Sequence, residues 1–225
     1  MAEFVGTAFL LIAVVGSGIM AERLSSGNVA LALLANAVAT GGALVALILC
    51  FAPISGAHIN PVVTLVEFAR QRIAGREALW YMTAQVLGAL AGVALANLLF
   101  GLPALVMSHH GRSGPILMLS EFIATAGLVL TILGSVRRTP NLTAFAVASY
   151  IVAAYWFTPS TSFANPAVTV ARALTDTFTG ILPNDVLPFV VAQTLGALAA
   201  TYLFAWLVES EKGSGTRRAT EARNE

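Results

Sequence analysis

The sequence predicts an all-α membrane protein with six transmembrane helices and two shorter re-entrant half-helices, arranged as an inverted repeat. Of its 225 residues, 57% are hydrophobic and only 10% are charged, with a mean hydropathy of +0.82. A soluble domain is about 25% charged, so most of this chain is expected to contact lipid. Six apolar segments approach the length of about 20 residues that a helix needs to cross a bilayer. The two halves also repeat three short motifs in the same order.

The expected spans are separated by short polar segments. They are residues 4–21, 29–51, 79–100, 115–136, 142–157 and 186–208. The fifth is the shortest. All six spans belong to one membrane domain, residues 1–208. The remaining residues, 209–225, are charged and rich in small side chains, and we expect them to form a poorly ordered cytoplasmic tail.

Basic residues predict the orientation of the chain, because cytoplasmic loops carry an excess of Lys and Arg. With a cytoplasmic N-terminus, nine of the twelve lie on the cytoplasmic side. Those on the other side are Arg23, Arg112 and Arg172. Four of the nine lie in the tail, and without them the ratio is five to three. We therefore expect both termini in the cytoplasm and a multi-pass protein of the inner (plasma) membrane.

The composition also restricts the partners and ligands of the chain. A net charge of +1 and a pI near 8.0 indicate neither nucleic acid nor an acidic partner. The single cysteine, Cys50, cannot form an intrachain disulfide. The adjacent pair His109 and His110 has too few ligands for a metal site. The expected partner is the lipid bilayer, with no metal or cofactor.

The internal repeat relates residues 1–105 to residues 115–208. The matched segments are 3–8 with 121–126, 60–64 with 165–169, and 84–90 with 192–198. Each half holds three spans, which is an odd number, so the second half must enter the membrane from the opposite side. Such inverted repeats place their interrupted segments near the middle of the bilayer, facing each other.

Two interrupted apolar segments, residues 53–68 and 159–174, carry the candidate pore motifs. The motifs are Asn60-Pro61-Val62 and Asn165-Pro166-Ala167. Asn is a favoured helix N-cap and Pro is favoured at the first helical position. Each motif therefore predicts a half-helix, over residues 61–70 and 166–174. Ten residues extend about 15 Å, roughly half of the hydrocarbon core, so two half-helices from opposite sides would meet by their N-termini.

This arrangement predicts a selective pathway. Each helix N-terminus carries about half a positive charge, so two of them at one point oppose the passage of cations, including protons. An Asn whose oxygen caps its own helix has its amide N–H groups fixed in direction. Asn60 and Asn165 would then donate hydrogen bonds to a passing neutral solute, which passes while ions do not.

Residues 56–64 and 163–169 resemble the paired signature loops of the aquaporin, or major intrinsic protein, family. The resemblance covers about residues 3–208. It implies the aquaporin fold, a homotetramer with one pore per protomer, and passive conduction of water or small neutral solutes. It also implies that Glu3 and Glu121 support the two loops by accepting backbone N–H groups. For His58 a hydrogen bond that stabilises the loop is favoured over a pH-sensing position in the pore.

The expected selectivity filter departs from the family pattern. In most members an arginine follows the second motif, but Val168 occupies that position here. The matching positions on the second span and before Asn165 are Thr40 and Ser162. On the fifth span the position falls at Ala153, or at Tyr155 if the alignment shifts by two residues.

The nearest arginine to the motif, Arg172, lies one helical turn beyond Val168 and is not expected at the same place. This departure from the family pattern therefore implies a wide filter that lacks arginine. This pattern is similar to bacterial aquaglyceroporin-like channels associated with arsenic resistance. The implied solutes are water, glycerol-like polyols, metalloid hydroxides such as arsenous acid, and peroxide.

Three other functions remain as alternatives. A water-selective aquaporin would share every motif except the filter. An ion-coupled secondary transporter would also use an inverted repeat, but Asp occurs only at Asp176 and Asp185, both outside the spans. An intramembrane enzyme would need a cluster of catalytic side chains, and the few ionisable residues within the spans are not clustered. The sequence therefore favours a channel and no enzymatic activity.

Overall fold

The computed structural model of the chain describes residues 1–221, with side chains described through residue 210. Within this part the chain forms eight α-helices and one short 3-10 turn. The helices are α1 Ala2–Leu24, α2 Val29–Ser55, α3 Pro61–Ala69, α4 Gly75–Leu99, α5 Pro115–Arg138, α6 Thr143–Phe157, α7 Pro166–Arg172 and α8 Pro183–Glu221. The 3-10 turn, Pro140–Leu142, directly precedes α6.

Five of these helices are long and apolar enough to cross a membrane. They are α1, α2, α4, α5 and the segment Pro183–Ser210 of α8, with mean hydropathies of 1.6 to 2.2. Helix α6 has 15 residues, which extend about 22 Å and fall short of a hydrocarbon core of about 30 Å. It corresponds to the fifth span that the sequence predicts, which is also the shortest of the predicted spans. The chain is therefore a multi-pass, all-α membrane protein.

The outer surface of the helices is apolar. Side chains such as Trp80, Tyr202 and Trp206 are more than 60% exposed, and exposed leucines occur on every long helix. Helix α2 is the least buried of the candidate spans, with 22% of its apolar window inside the protein. Exposure of this extent in a soluble monomer would be exceptional, so the surface is suited to contact with lipid.

Four of the long helices pack in pairs that follow the repeat, α1 with α4 and α5 with α8. A Cβ atom added at Gly88 of α4 would lie 2.2 Å from the backbone oxygen of Phe4. One added at Gly196 of α8 would lie 2.3 Å from the oxygen of Phe122. Both glycines and both phenylalanines are equivalent positions of the repeat. Glycine is therefore required where these backbones touch, as is common in membrane helix pairs.

The two short helices, α3 and α7, begin at the prolines that the sequence predicts and end within two residues of the predicted ends. They have nine and seven residues, so each is far too short to cross a bilayer. The backbone of α8 continues into residues 209–225, the tail that the sequence predicts to be poorly ordered. Residues 222–225 of that tail lie outside the described residues, and for the tail as a whole the prediction stays a prediction.

Candidate functional site

Each half-helix is capped by the Asn of its motif. The Asn60 side chain accepts a hydrogen bond from the Val62 N–H at 3.1 Å. Asn165 accepts from the N–H groups of Ala167 and Val168, at 3.0 and 3.3 Å. Both asparagines are extended and precede a proline at the first helical position. The local sequence thus explains why both half-helices begin at these points.

The two motifs meet through a reciprocal pair of hydrogen bonds. The Asn60 side-chain amide donates to the backbone oxygen of Ala164 at 2.8 Å, and the Asn165 amide donates to that of Ile59 at 2.9 Å. Each amide has two N–H groups, so one is committed to the opposite loop. The other N–H is what each asparagine can offer to a solute.

The residue before each asparagine has a left-handed backbone. Ile59 has φ +41° and Ala164 has φ +46°. Ala57 and Ser162, two residues earlier in each loop, have φ +48° and +50°. Non-glycine residues adopt this conformation at a cost of roughly 1–2 kcal/mol each, so other contacts must hold the loops in place.

In the first loop that contact is Glu3, which is buried. Its carboxylate accepts hydrogen bonds from the backbone N–H groups of His58 and Ile59, at 3.1 and 2.7 Å. It also accepts from the Ser55 hydroxyl at 2.6 Å and from the Gln85 amide at 2.7 Å. Four donors therefore converge on one carboxylate, and charge-assisted bonds of this kind are the strong ones.

Glu121 occupies the equivalent position in the second loop and is fully buried. It accepts from the N–H groups of Phe163 and Ala164, both at 2.9 Å, and from the Gln193 amide at 2.7 Å. The same amide donates to the Thr169 hydroxyl at 2.8 Å. Each loop is thus held by a carboxylate and a glutamine from the long helices behind it.

A cavity with about 160 Å³ of water-accessible space passes between the half-helix N-termini. Asn60 and Asn165 both line it. On one side it follows α3 past Val63 to Glu67, and we call this the α3 end. On the other side it follows α7 past Val168 to Arg172, and we call this the α7 end.

Three of the four expected filter residues line the cavity, namely Thr40, Ser162 and Val168. The fourth expectation, Ala153, is corrected by the structure, because Ala153 is exposed on the outer face of α6. Tyr155 lines the cavity instead, and its hydroxyl lies 3.3 Å from the Thr40 hydroxyl. Residues two apart on a helix of 3.6 residues per turn point to nearly opposite sides, so a shift of two reverses the assignment.

Arg172 lies one helical turn beyond Val168, as the sequence predicts, and not at the Val168 position itself. Its side chain is nevertheless buried, at 3% exposed, and lines the same cavity as Val168. It donates from Nε to the Thr179 backbone oxygen, and its Cζ lies 3.4 Å from the centroid of the Phe163 ring. Positions four apart on a helix share a face, a signal in the sequence that could have predicted this placement.

A second arginine, Arg112, contacts the same ring from the loop between α4 and α5. Its Cζ lies 5.0 Å from the Phe163 centroid, and its side chain donates to the backbone oxygens of Gly180 and Ser160. Burial lowers the pKa of Arg112 from its ordinary value. Arg112 is not among the residues that line the cavity. Sequence reasoning missed it, because no pattern links a loop residue to a ring 51 positions later.

At the α3 end the cavity reaches Glu67 and His58. Glu67 forms ion pairs with Arg70 at 3.2 Å and Arg72 at 3.7 Å. His58 Nδ1 lies 3.0 Å from the Thr64 hydroxyl, which is the kind of loop contact that the sequence favours for it. His58 also lines the cavity. The same side chain can therefore both stabilise the loop and face the pathway.

Comparison with known proteins gives the context for this geometry. Residues 1–158 match the model of the family described as Major intrinsic protein. Aquaglyceroporin AqpS of Rhizobium meliloti (strain 1021) is 52% identical over 209 residues, which cover 93% of this chain and 89% of that protein. Aquaporin AqpM of Methanothermobacter marburgensis is 31% identical, covering 92% and 96%.

A solved structure gives the same fold. The X-ray structure of the aquaglyceroporin from Plasmodium falciparum superposes with a TM-score of 0.64 and covers 90% of this chain and 93% of its own. Its sequence is 22% identical, so this likeness concerns the fold alone.

Proposed function

This chain belongs to the major intrinsic protein family and forms a channel for small neutral solutes, and we propose that these include glycerol-like polyols and metalloid hydroxides besides water. The R. meliloti relative bears the name aquaglyceroporin, which agrees with a pathway for solutes larger than water. The chain is a channel and not an enzyme. The proposal concerns which solutes pass and which residues select them.

One observation carries the proposal, namely the mixed lining beside Val168. The aliphatic Val168 lines the cavity there together with three hydroxyl-bearing residues, Thr40, Tyr155 and Ser162. Polyols present both hydroxyls and C–H groups to such a lining, and metalloid hydroxides present hydroxyls.

Ion exclusion in this proposal rests on the meeting of the half-helices. The N-termini of α3 and α7 meet at Asn60 and Asn165, which both line the cavity and each keep one side-chain N–H beyond the bond to the opposite loop. The N–H groups donate hydrogen bonds to the oxygen of a neutral solute, and the positive helix ends oppose a cation. Water held by donors on both sides cannot relay a proton through that point.

The chain is further proposed to form a homotetramer in the plasma membrane with both termini in the cytoplasm. In this orientation the α3 end of the cavity is cytoplasmic and the α7 end opens to the outside. Arg70, Arg72, Arg137 and Arg138 then lie on the cytoplasmic side, which agrees with the positive-inside rule. Native mass spectrometry in detergent tests the tetramer, and a dimer or monomer would contradict it.

The solutes are tested by stopped-flow light scattering on proteoliposomes in gradients of water, glycerol and arsenous acid. We expect the wild type to conduct all three. Val168→Arg should lower the flux of glycerol and arsenous acid about tenfold or more and that of water less, because a guanidinium narrows the pathway. Val168→Leu is the matched control, since it adds volume without charge and should have a smaller effect.

The outcomes separate the alternatives. A wild type that conducts water alone would be a water-selective aquaporin and would contradict the proposed solutes. Flux that saturates or depends on an ion gradient would indicate a coupled transporter. Equal loss of all solutes in Val168→Arg, with intact folding, would show that Val168 does not select among them.

A further inference from the structure

Arg172 lies in the solute pathway although it is not at the position that follows the second motif. We propose that Arg172 is a selectivity-determining residue of this channel, a guanidinium displaced by one helical turn toward the α7 end. The inference deepens the proposed function, on which it rests for the identity of the solutes. A displacement of four residues corresponds to about 6 Å along the helix axis, so the arginine lies beyond Val168 rather than beside it.

The guanidinium is held in one orientation. Its central carbon, Cζ, lies 3.4 Å from the centre of the Phe163 ring, and its Nε donates to the Thr179 backbone oxygen. Phe163 is fixed in turn, because its backbone N–H donates to Glu121 and its ring packs edge-on against Phe189 with centroids 5.4 Å apart. A guanidinium has five N–H donors in a rigid fork. With Nε engaged, the four on the terminal nitrogens are the ones that can serve a solute.

The charge of Arg172 has no acidic partner within ion-pair distance among residues 1–210. A buried charge of this kind is costly unless other contacts compensate. The ring face of Phe163 supplies one such contact, since an aromatic face attracts a cation and does so more strongly when the pair is desolvated. The positive charge is therefore retained at the cavity wall rather than neutralised, which favours solute oxygens and disfavours cations.

Arg172 and the hydroxyl lining form one continuous set of groups. Thr40, Tyr155 and Ser162 line the same cavity, and the Thr40 and Tyr155 hydroxyls lie 3.3 Å apart. A solute that carries several hydroxyls can receive hydrogen bonds from Arg172 while its other hydroxyls meet this hydroxyl-bearing wall. The geometry thus favours small polyhydroxy solutes over apolar ones, and it limits the size of what passes the α7 end.

Arg112 offers a matched control, because it contacts the same Phe163 ring but does not line the cavity. The test compares Arg172→Gln with Arg112→Gln in proteoliposomes, with water, glycerol and the larger polyol erythritol as solutes. Size-exclusion chromatography and thermal unfolding check the fold of each variant.

We expect Arg172→Gln to raise the erythritol-to-water permeability ratio about fivefold or more. A change of this size corresponds to the loss of roughly one hydrogen bond that distinguishes the two solutes. Arg112→Gln should change the ratio by less than about twofold. Equal changes in both variants, or no change in Arg172→Gln, would overturn the inference. If Arg172→Gln does not fold, Arg172→Lys replaces it. Lysine keeps the charge but loses the planar fork, and an unchanged ratio in that variant would also overturn the inference.

Failure of the proposed function gives a different result. If the wild type conducts water alone, the proposed solutes are wrong. The role of Arg172 is then judged by whether Arg172→Gln opens a glycerol flux that Arg112→Gln does not. An opened flux supports it, and no flux in either variant contradicts it.

Discussion

The two half-helix loops are nearly identical where they meet and different where they end. Near the meeting point each has an Asn cap, a left-handed residue before it, a glutamate behind it and a glutamine that bridges to a threonine. Farther along, the offset of 105 residues pairs His58 with Phe163 and Glu67 with Arg172. Glu67 is neutralised by two arginines, whereas Arg172 rests on an aromatic ring.

The middle of the pathway is under a physical constraint that both halves share. Each loop must satisfy its strained backbone and its exposed helix N-terminus within the protein, and the same few residue types do so in both halves. The two ends are free of that requirement and face different sides of the membrane. We infer that the symmetric middle excludes ions and that the asymmetric ends select among neutral solutes.

The largest expected effect comes from removing a loop-supporting carboxylate. Glu121→Ala leaves the N–H groups of Phe163 and Ala164 without acceptors inside the protein. Hydrogen bonds to charged groups contribute about 1.5–3 kcal/mol each, so we expect the free energy of unfolding to fall by at least about 3 kcal/mol. Thermal unfolding and size-exclusion chromatography in detergent measure the loss.

Glu3→Ala is the symmetric partner of this change and should cause a loss of similar size. Glu22→Ala serves as the control, because Glu22 is exposed near the end of α1, and it should change stability by less than about 0.5 kcal/mol. A large loss in only one of the two loops would show that their supports are not equivalent.

The next effect concerns the close helix contacts that support each loop. Gly88→Ala and Gly196→Ala would each place a Cβ atom 2.2–2.3 Å from a backbone oxygen of the facing helix. The helices must separate to relieve this clash, and we expect a cost of about 1–3 kcal/mol or more in each case. Thermal unfolding of the purified protein is the measurement.

Gly42→Ala provides the control for these substitutions. Gly42 lies in α2, and a Cβ atom there would meet nothing within 4 Å. Alanine at that position should leave stability unchanged or raise it by up to about 1 kcal/mol, because alanine is the better helix former. A loss at Gly42 equal to that at Gly88 would attribute the effect to helix propensity in the membrane rather than to the contact.

A smaller effect is expected at the α3 end. Glu67→Gln removes the ion pairs with Arg70 and Arg72 from a side chain that is 18% exposed. Such pairs near the surface contribute about 0–1 kcal/mol, so the protein should remain folded. The erythritol-to-water ratio should change less than in Arg172→Gln. An equal or larger change at Glu67 would place selectivity at both ends and remove the proposed asymmetry.

The smallest effect belongs to a contact outside the membrane between the loops that flank the α7 end. Hydrogen bonds from the His109 backbone N–H and ring, at 2.9 and 3.0 Å, hold the pKa of Asp176 below its usual range. Because this pKa is lower in the folded protein than in the unfolded chain, where it is near 4, the contact stabilises the folded state at pH values above about 4. The stabilisation is lost as the pH falls through the folded-state pKa.

The unfolding temperatures of the wild type and Asp176→Asn measure this contact. As far as the ionisation of Asp176 itself is concerned, the difference should be constant from about pH 5 to 8, should shrink as the pH falls below about 4, and should vanish once the pH lies below the folded-state pKa. A difference that persists in acid would mean that the carboxylate charge is not what holds the two loops together.

The sequence predicts the helices well because their signals are local. Asn followed by Pro fixes where each half-helix begins, and the apolar segments give the spans within a few residues. The error at Ala153 has a different origin. No local signal tells which face of α6 turns toward the cavity, and a shift of two residues along a helix exchanges the inner and outer faces.

Arg172 lies one turn beyond Val168, as the sequence predicts, but a family pattern describes a position and not the reach of a side chain. The sequence shows that Val168 has replaced the expected arginine. It does not show that Phe163 and Thr179 hold another guanidinium at the cavity wall one turn later. Those three residues are brought together by the bend of the chain around α7, which depends on the whole second half.

By itself, the sequence determined that this is a membrane channel of two inverted halves with capped half-helices meeting in the middle. Composition, periodicity and capping depend on neighbours along the chain, so they can be read from it. Which face of α6 turns toward the pathway depends on the tertiary structure, which places Tyr155 there and leaves Ala153 outside, and which brings Phe163 and Thr179 to the Arg172 guanidinium. That choice depends on how helices distant in sequence rotate and cross, because buried polar groups and touching backbones must all be satisfied at once.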